Sequence, residues 1–309
     1  MSSGPGGARG WGYRVLGARL DYLLHFRPAE WPIMAAHTAL GYVLAVGIAG
    51  VAMGASAGAA VCGIVLWVVC LNGGTLAINS AFDRDEGDIA YLRRPPPPPR
   101  RLFAVGMGAM LLGLVLAAIA LPIGYVGAYA VCLVLSVLYS VPPVRLKAVA
   151  GADWLINMWG FGTLTPYAGW ASTGRHVDFT HALVLLAFCP LFAALYPLTQ
   201  LYQMDEDRRR GDATLAIRLG LARSLDVAIG AAALALVLLG WAASRSAWTS
   251  GDAWRWTMLG AAALAWIAVL LPWRLRAPTM SPAGHQRGMY LALVAWAVTD
   301  LGVGLAWGV

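Results

Sequence analysis

The 25 residues Gly58-Ala-Ala-Val-Cys-Gly-Ile-Val-Leu-Trp-Val-Val-Cys-Leu-Asn-Gly-Gly-Thr-Leu-Ala-Ile-Asn79-Ser80-Ala-Phe82 carry no charge, and Asp83-Arg-Asp85-Glu-Gly-Asp88 follows at once. A helix needs about 20 mostly apolar residues to cross the hydrocarbon core of a bilayer, so this run reads as a transmembrane span that ends where the acids begin. The same pattern recurs at 32–54, 102–121, 123–141, 153–172, 180–203, 222–243, 254–273 and 288–307, giving nine spans. Gly54-Ala-Ser-Ala-Gly58 and Pro122-Ile-Gly124 leave room only for tight turns between antiparallel neighbours. The expected fold class is an all-α integral membrane bundle of nine transmembrane helices. Residues 1–30 form a cytoplasmic N-terminal segment and 31–309 the nine-helix domain.

Composition points the same way. Of 309 residues, 60% are hydrophobic and 12% charged, with a mean hydropathy of +0.67, against about 25% charged in soluble domains. That excludes an ordinary soluble enzyme. Cys62, Cys70, Cys132 and Cys189 all lie in apolar runs without a C-x-x-C pair, which suits buried thiols. The first 30 residues hold Arg9, Arg14, Arg19 and Arg27 but no continuous apolar stretch, so no cleavable signal peptide is expected.

Lys and Arg set the orientation, because basic residues are retained in cytoplasmic loops. Nineteen of the 22 fall on the side of the N-terminus, and only Arg175, Arg245 and Arg255 on the other. The N-terminus is therefore expected in the cytoplasm and the C-terminus outside. The same asymmetry accounts for the net charge of +7 without nucleic acid as a partner.

Of the 15 acids, eight sit in two short segments on the cytoplasmic side: Asp83, Asp85, Glu86 and Asp88, then Asp205, Glu206, Asp207 and Asp212. Each follows a helix that already carries amides. Asn79 and Asp83 are four apart and share a face; Tyr196, Gln200, Gln203 and Asp207 repeat the same spacing. Polar groups near the end of a span are costly unless they line a cavity. The spacing of the two acidic segments also suggests two four-helix halves plus a ninth helix, although the halves share little residue identity. Carboxylate and amide oxygens are hard ligands suited to Mg²⁺, which bridges protein carboxylates to substrate phosphates. Arg145 and Lys147, just after the rigid Pro142-Pro143, and Arg208 to Arg210 supply cations for a diphosphate. Retention in the cytoplasm and contact with lipid headgroups explain Arg208 to Arg210 equally well.

Taken together, these segments resemble the UbiA-type intramembrane prenyltransferase superfamily over most of the chain. The resemblance rests on Asn79-Ser-Ala-Phe-Asp83-Arg-Asp85-Glu-Gly-Asp88 after the second span, Tyr139-Ser-Val-Pro-Pro-Val-Arg145-Leu-Lys147 after the fourth, and Gln203-Met-Asp205-Glu-Asp207-Arg-Arg-Arg-Gly211-Asp-Ala-Thr214 after the sixth. Three motifs in order, at matching helix ends, make it specific. The departures are Ser80 where the family has Asp, Gly87 with Asp88 one place late, and Gln203 in place of the first Asp of the second motif.

The resemblance implies a lipid-facing cavity and Mg²⁺-dependent transfer of an isoprenoid chain from a prenyl diphosphate donor to a hydrophobic acceptor within the membrane lipids. It implies metal ligation by Asn79, Asp83, Asp88, Gln203 and Asp207, with Asp83, Asp207, Arg145 and Lys147 as the catalytic set. Substrate contacts are expected from Asn79, Tyr139, Arg145, Lys147, Asp153, Asn157, Tyr196, Gln200, Gln203 and Arg208, and the faces of Tyr139, Trp159, Phe161 or Tyr196 would steady a carbocation. A UbiA-type terpene cyclase without an acceptor is the nearest alternative. A cation-coupled transporter is a more distant one, since its acids belong near midplane rather than at helix ends.

Other features carry less weight. Pro95 to Pro99 reads as a short stiff rod over the cytoplasmic mouth. His37 reads as a packed histidine, Asp226 as a favourable charge at a helix N-terminus, and Asp300 as an unusual acid within the last span.

Overall fold

In the computed structural model, residues 8–83, 89, 92, 94–210 and 214–309 are described, without the side chains of Ala8, Glu206, Asp207 and Arg210. Two short helices, α1 (Ala8–Leu16) and α2 (Arg19–His25), precede the bundle. The bundle comprises α3 (Trp31–Ala52), α4 (Ala57–Asp83), α5 (Leu102–Ala120), α6 (Ile123–Ser140), α7 (152–171), α8 (Phe179–Gln200), α10 (Leu215–Arg245), α11 (Ala253–Arg276) and α12 (Pro282–Gly308), with the short α9 (Met204–Arg210) after α8. Among the described residues, eight helices are long and apolar enough to cross a membrane. The continuous helical stretch of α7 falls outside that count because its apolar residues are diluted by Asp153, Asn157, Thr163 and Thr165 and by its glycines, tryptophans, Pro166 and Tyr167. The chain is an integral, multi-pass membrane protein.

Two boundaries move from their expected places. α10 starts at Leu215 instead of 222, but Gly220 has φ 75° and breaks it, so the apolar part begins where the hydropathy changes. α12 starts at Pro282 rather than 288, because Ser281 caps it: its Oγ accepts from the amide of Gly284 at 3.2 Å, and Pro282 suits the first turn. Asp226 lies six residues beyond the break at Gly220, in the second turn of the restarted helix, and pairs with Arg274 at 2.7 Å.

The apolar packing does not follow two sequential halves. One cluster joins α4, α5, α6 and part of α7 around Trp67, Tyr125 and Tyr129. A larger one joins α8, α10, α11 and α12 to α3, the first span, and a small third gathers Phe26, Ala77 and Leu102. Where α3 meets α7 the backbones touch: a Cβ on Gly41 would collide with the carbonyl of Pro166, and one on Gly169 with that of Thr38. Small residues on both faces permit this approach, as in other membrane helix pairs.

α4 and α7 each contain a π-helical turn, at Leu66–Asn72 and Met158–Leu164. Such turns re-aim side chains and often mark functional sites. Both border a cavity of about 390 Å³ lined by α3, α4, α6, α7, α8 and α12, between the two larger clusters.

Candidate active site

The cavity reaches toward the end of the bundle that carries Asp83, with Asn79 among its lining residues. Asn79, Thr75 and Asn72 reach it from α4, Tyr139 and Ser136 from α6, Asn157 from α7, and Tyr196 and Thr199 from α8. One turn beyond Asn79, Asp83 lies with its side chain 11% exposed, paired with Lys147 and with Arg145 at 3.3 Å. Lys147 also donates to Asn79 Oδ1 at 3.2 Å, so one ammonium bridges the amide and carboxylate oxygens of this helix end. Arg145 adopts the left-handed conformation at φ 38°. That costs on the order of 1 kcal/mol or more for a residue with a Cβ, and such strain gathers at functional sites. It lets the loop after α6 fold back so that both cations meet the end of α4.

A second network braces α7 against α8. Asp153 is 1% exposed and accepts from the amide of Gly151 at 2.9 Å, from Tyr196 OH at 3.1 Å and from Gln200 Nε2 at 3.4 Å. Gln200 Oε1 in turn accepts from the amide of Ala216 at 3.1 Å, tying α10 to the same point. The Tyr139 and Tyr196 hydroxyls stand 3.4 Å apart at the cavity wall. Asp153 and Gln200 thus hold the Tyr196 ring in place from behind the wall, while Asn157, whose Nδ2 donates to the Asp153 carbonyl at 2.7 Å, lines the cavity itself.

The structure therefore brings Asn79, Asp83, Arg145 and Lys147 together, and Tyr139, Asp153, Asn157, Tyr196 and Gln200 beside them. The Arg208 side chain is solvent-facing and pairs with Asp205 at 3.0 Å. Gln203 Nε2 donates to Tyr202 OH at 3.0 Å. Asp88, Asp85, Glu86 and Asp212, and the side chains of Asp207 and Arg210, lie outside the described residues. Of the aromatic rings expected near a cation, Tyr139, Phe161 and Tyr196 line the cavity; Trp159 does not and is 43% exposed, because the helix turns it outward. Ser80 is buried with its Oγ unpartnered, on a different face of α4 from Asn79 and Asp83.

Several groups escaped the reading of the sequence. Arg27 and Glu30, ahead of α3, are buried and line the cavity. Burial pushes the Glu30 carboxyl above its usual range, against the pull of Arg27 and Asn72. His37 Nδ1 meets both oxygens of Asp300 at 3.1 Å, joining the first and last spans. The proline run is fastened from the N-terminal helices, with His25 Nε2 3.1 Å from the carbonyl of Pro96 and Arg9 donating to the carbonyl of Arg94 at 3.0 Å. In the sequence His37 read as a packed histidine, Asp300 as an unusual acid within a span and the prolines as a stiff rod, but nothing indicated their partners or the burial of Arg27 and Glu30.

The donor set suits a hard cation in kind: one carboxylate and one amide oxygen converge on the ammonium of Lys147, which stands where positive charge is wanted. Among the described residues no three His, Cys, Asp or Glu side chains gather at metal-ligand spacing.

Comparison with known proteins now places the chain. A UbiA homologue from Archaeoglobus fulgidus bound to GPP and Mg²⁺ superposes with a TM-score of 0.68 at 20% identity, covering 93% of this chain and 98% of that one. The same homologue bound to DMAPP and Mg²⁺ gives 0.67 at 20% identity, covering 92% and 99%. A digeranylgeranylglyceryl phosphate synthase gives 0.68 at 15% identity, covering 93% and 98%. No curated protein matches the sequence. At these identities the superpositions speak for the fold, whereas the model of the UbiA prenyltransferase family matches residues 35–294, most of the chain: the protein belongs to the UbiA prenyltransferase family.

Proposed function

We propose that the protein transfers an isoprenoid chain from a prenyl diphosphate to an aromatic or lipid-like acceptor within the membrane, with Mg²⁺ as cofactor and the site opening to the cytoplasm. The observation that carries this reading is the Asn79, Asp83, Lys147 and Arg145 cluster at the mouth of an aromatic-walled cavity. Family membership and the Mg²⁺-bound prenyl diphosphates of the A. fulgidus homologue support it.

In this reading Asn79, Asp83, Asp88, Gln203 and Asp207 would hold the metal, and Mg²⁺ would supply charge neutralisation for the diphosphate. Lys147 and Arg145 bear on the leaving group as the bond between C1 of the chain and the diphosphate oxygen breaks, the electron pair departing with the diphosphate. The acceptor then bonds to C1 and releases one proton. Tyr139, Tyr196 and Phe161 present ring faces that attract the developing cation, and the apolar wall excludes water that would quench it.

The test is Mg²⁺-dependent diphosphate release from purified, reconstituted protein, with and without pooled aromatic and lipid acceptors. Acceptor-dependent release that Asp83→Asn abolishes establishes transfer. Release without any acceptor points to the cyclase, and no release from any donor refutes the reading.

A further inference from the structure

At the far end of the cavity from Asp83, two of the lining rings, Trp67 and His37, are each bonded to α7. Trp67, in the π-helical turn of α4, donates its indole N–H to Thr165 Oγ1 at 3.2 Å. His37, on α3, places Nε2 3.3 Å from the carbonyl of Gly162, one turn earlier on the same helix. Each ring is also held from behind. Tyr125 and Tyr129 pack edge-on against Trp67, with centroids at 5.9 and 6.1 Å, and Asp300 takes both its contacts with Nδ1 of His37 at 3.1 Å. All the polar atoms of the two rings are thus engaged by protein, leaving carbon for the cavity.

The spacing gives this end a depth. Trp67 lies 16 residues along α4 from Asp83, about 24 Å at the α-helical rise and a little less through the π-helical turn. An extended isoprene unit, with four carbons along the chain, advances about 4–5 Å at ordinary bond lengths, so with the diphosphate seated at Asp83 the remaining depth suits about three units.

Resting on the function proposed above, we infer that Trp67 and His37 form a rigid floor that sets the maximum length of the donor's isoprenoid chain. The rings act on specificity and take no part in the chemistry. A hydrophobic pocket discriminates by roughly tenfold or more per methylene that it cannot accommodate, so a floor held at this many points gives a sharp limit.

The experiment measures Mg²⁺-dependent diphosphate release from C10, C15, C20, C30 and C45 donors by wild type and Trp67→Ala. The wild type should prefer C15 over C30 by at least about tenfold. Trp67→Ala should reduce that preference about tenfold or more while keeping C10 turnover. Equal use of C15 and C45 by wild type, or an unchanged length profile in a Trp67→Ala protein that still turns over C10, overturns the floor. Should that variant fail to fold, wild type is labelled with a C15 diphosphate analogue carrying a diazirine on its last carbon. Adducts on Trp67, His37 or their neighbours on α7 support the floor, and adducts confined elsewhere overturn it. Wild-type protein that neither turns over nor is labelled by any donor refutes the donor site itself, a separate failure that takes the floor with it.

Discussion

The two acidic segments look alike in sequence and differ in the folded protein. Asp83 ends a long packed helix and is nearly buried under Lys147 and Arg145, which a loop beginning after α6 delivers, Arg145 lying 62 residues on. Asp205 sits on the seven-residue α9 with its side chain 70% exposed, and its partner Arg208 is a neighbour three residues on. The first segment is organised by tertiary contacts before anything binds. In the second, Asp205 pairs within its own helix, Met204 at that helix's start packs into the larger apolar cluster, and the Asp153, Tyr196 and Gln200 network lies just before it. A pre-organised charge cluster in a low-dielectric setting outweighs a solvated one.

That contrast orders the expected effects. Chelation by EDTA should remove diphosphate release altogether, with recovery on adding Mg²⁺; activity that persists would deny metal any role at either segment. Asp83→Asn should reduce release about 100- to 1000-fold, while Asp205→Asn should stay within about twofold of wild type. Equal losses from the two would erase the contrast. Lys147→Met should lower turnover by roughly 100-fold, and a larger rise in KM than fall in kcat would assign the lysine to binding the donor.

Asp153→Asn tests the brace. It puts an amide where three donors converge, which should cost about 1–3 kcal/mol of stability, measured as a lower Tm in detergent. Unchanged stability would mean that α8 needs no such anchor. The smallest effect belongs to Arg208→Ala, which removes an exposed pair worth less than about 1 kcal/mol; a large loss of donor binding there would return Arg208 to the site.

The spans were legible because burial in lipid requires length and apolarity, both local properties, and most helix ends fall within a few residues of the hydropathy changes. Asn79 and Asp83 were legible as neighbours because four residues is one helical turn. Asp153 and Gln200 read as substrate contacts because a polar residue near the end of a span looks the same whether it faces a cavity or a neighbouring helix. The structure turns both toward each other behind Tyr196. Trp159 misled for a similar reason, since aromatic identity says nothing about which way a ring points.

By itself, then, the sequence determined that this is a many-span helical membrane protein with its acids and their cations at helix ends. Tertiary structure alone decided which cation meets which acid, how α7 enters the bundle against α3 through Gly41 and Gly169, and which rings line the far end of the cavity. His37 and Asp300 are 263 residues apart and Trp67 and Thr165 are 98 apart. No periodicity in the chain links such pairs, because packing between helices, rather than spacing along one helix, brings them together.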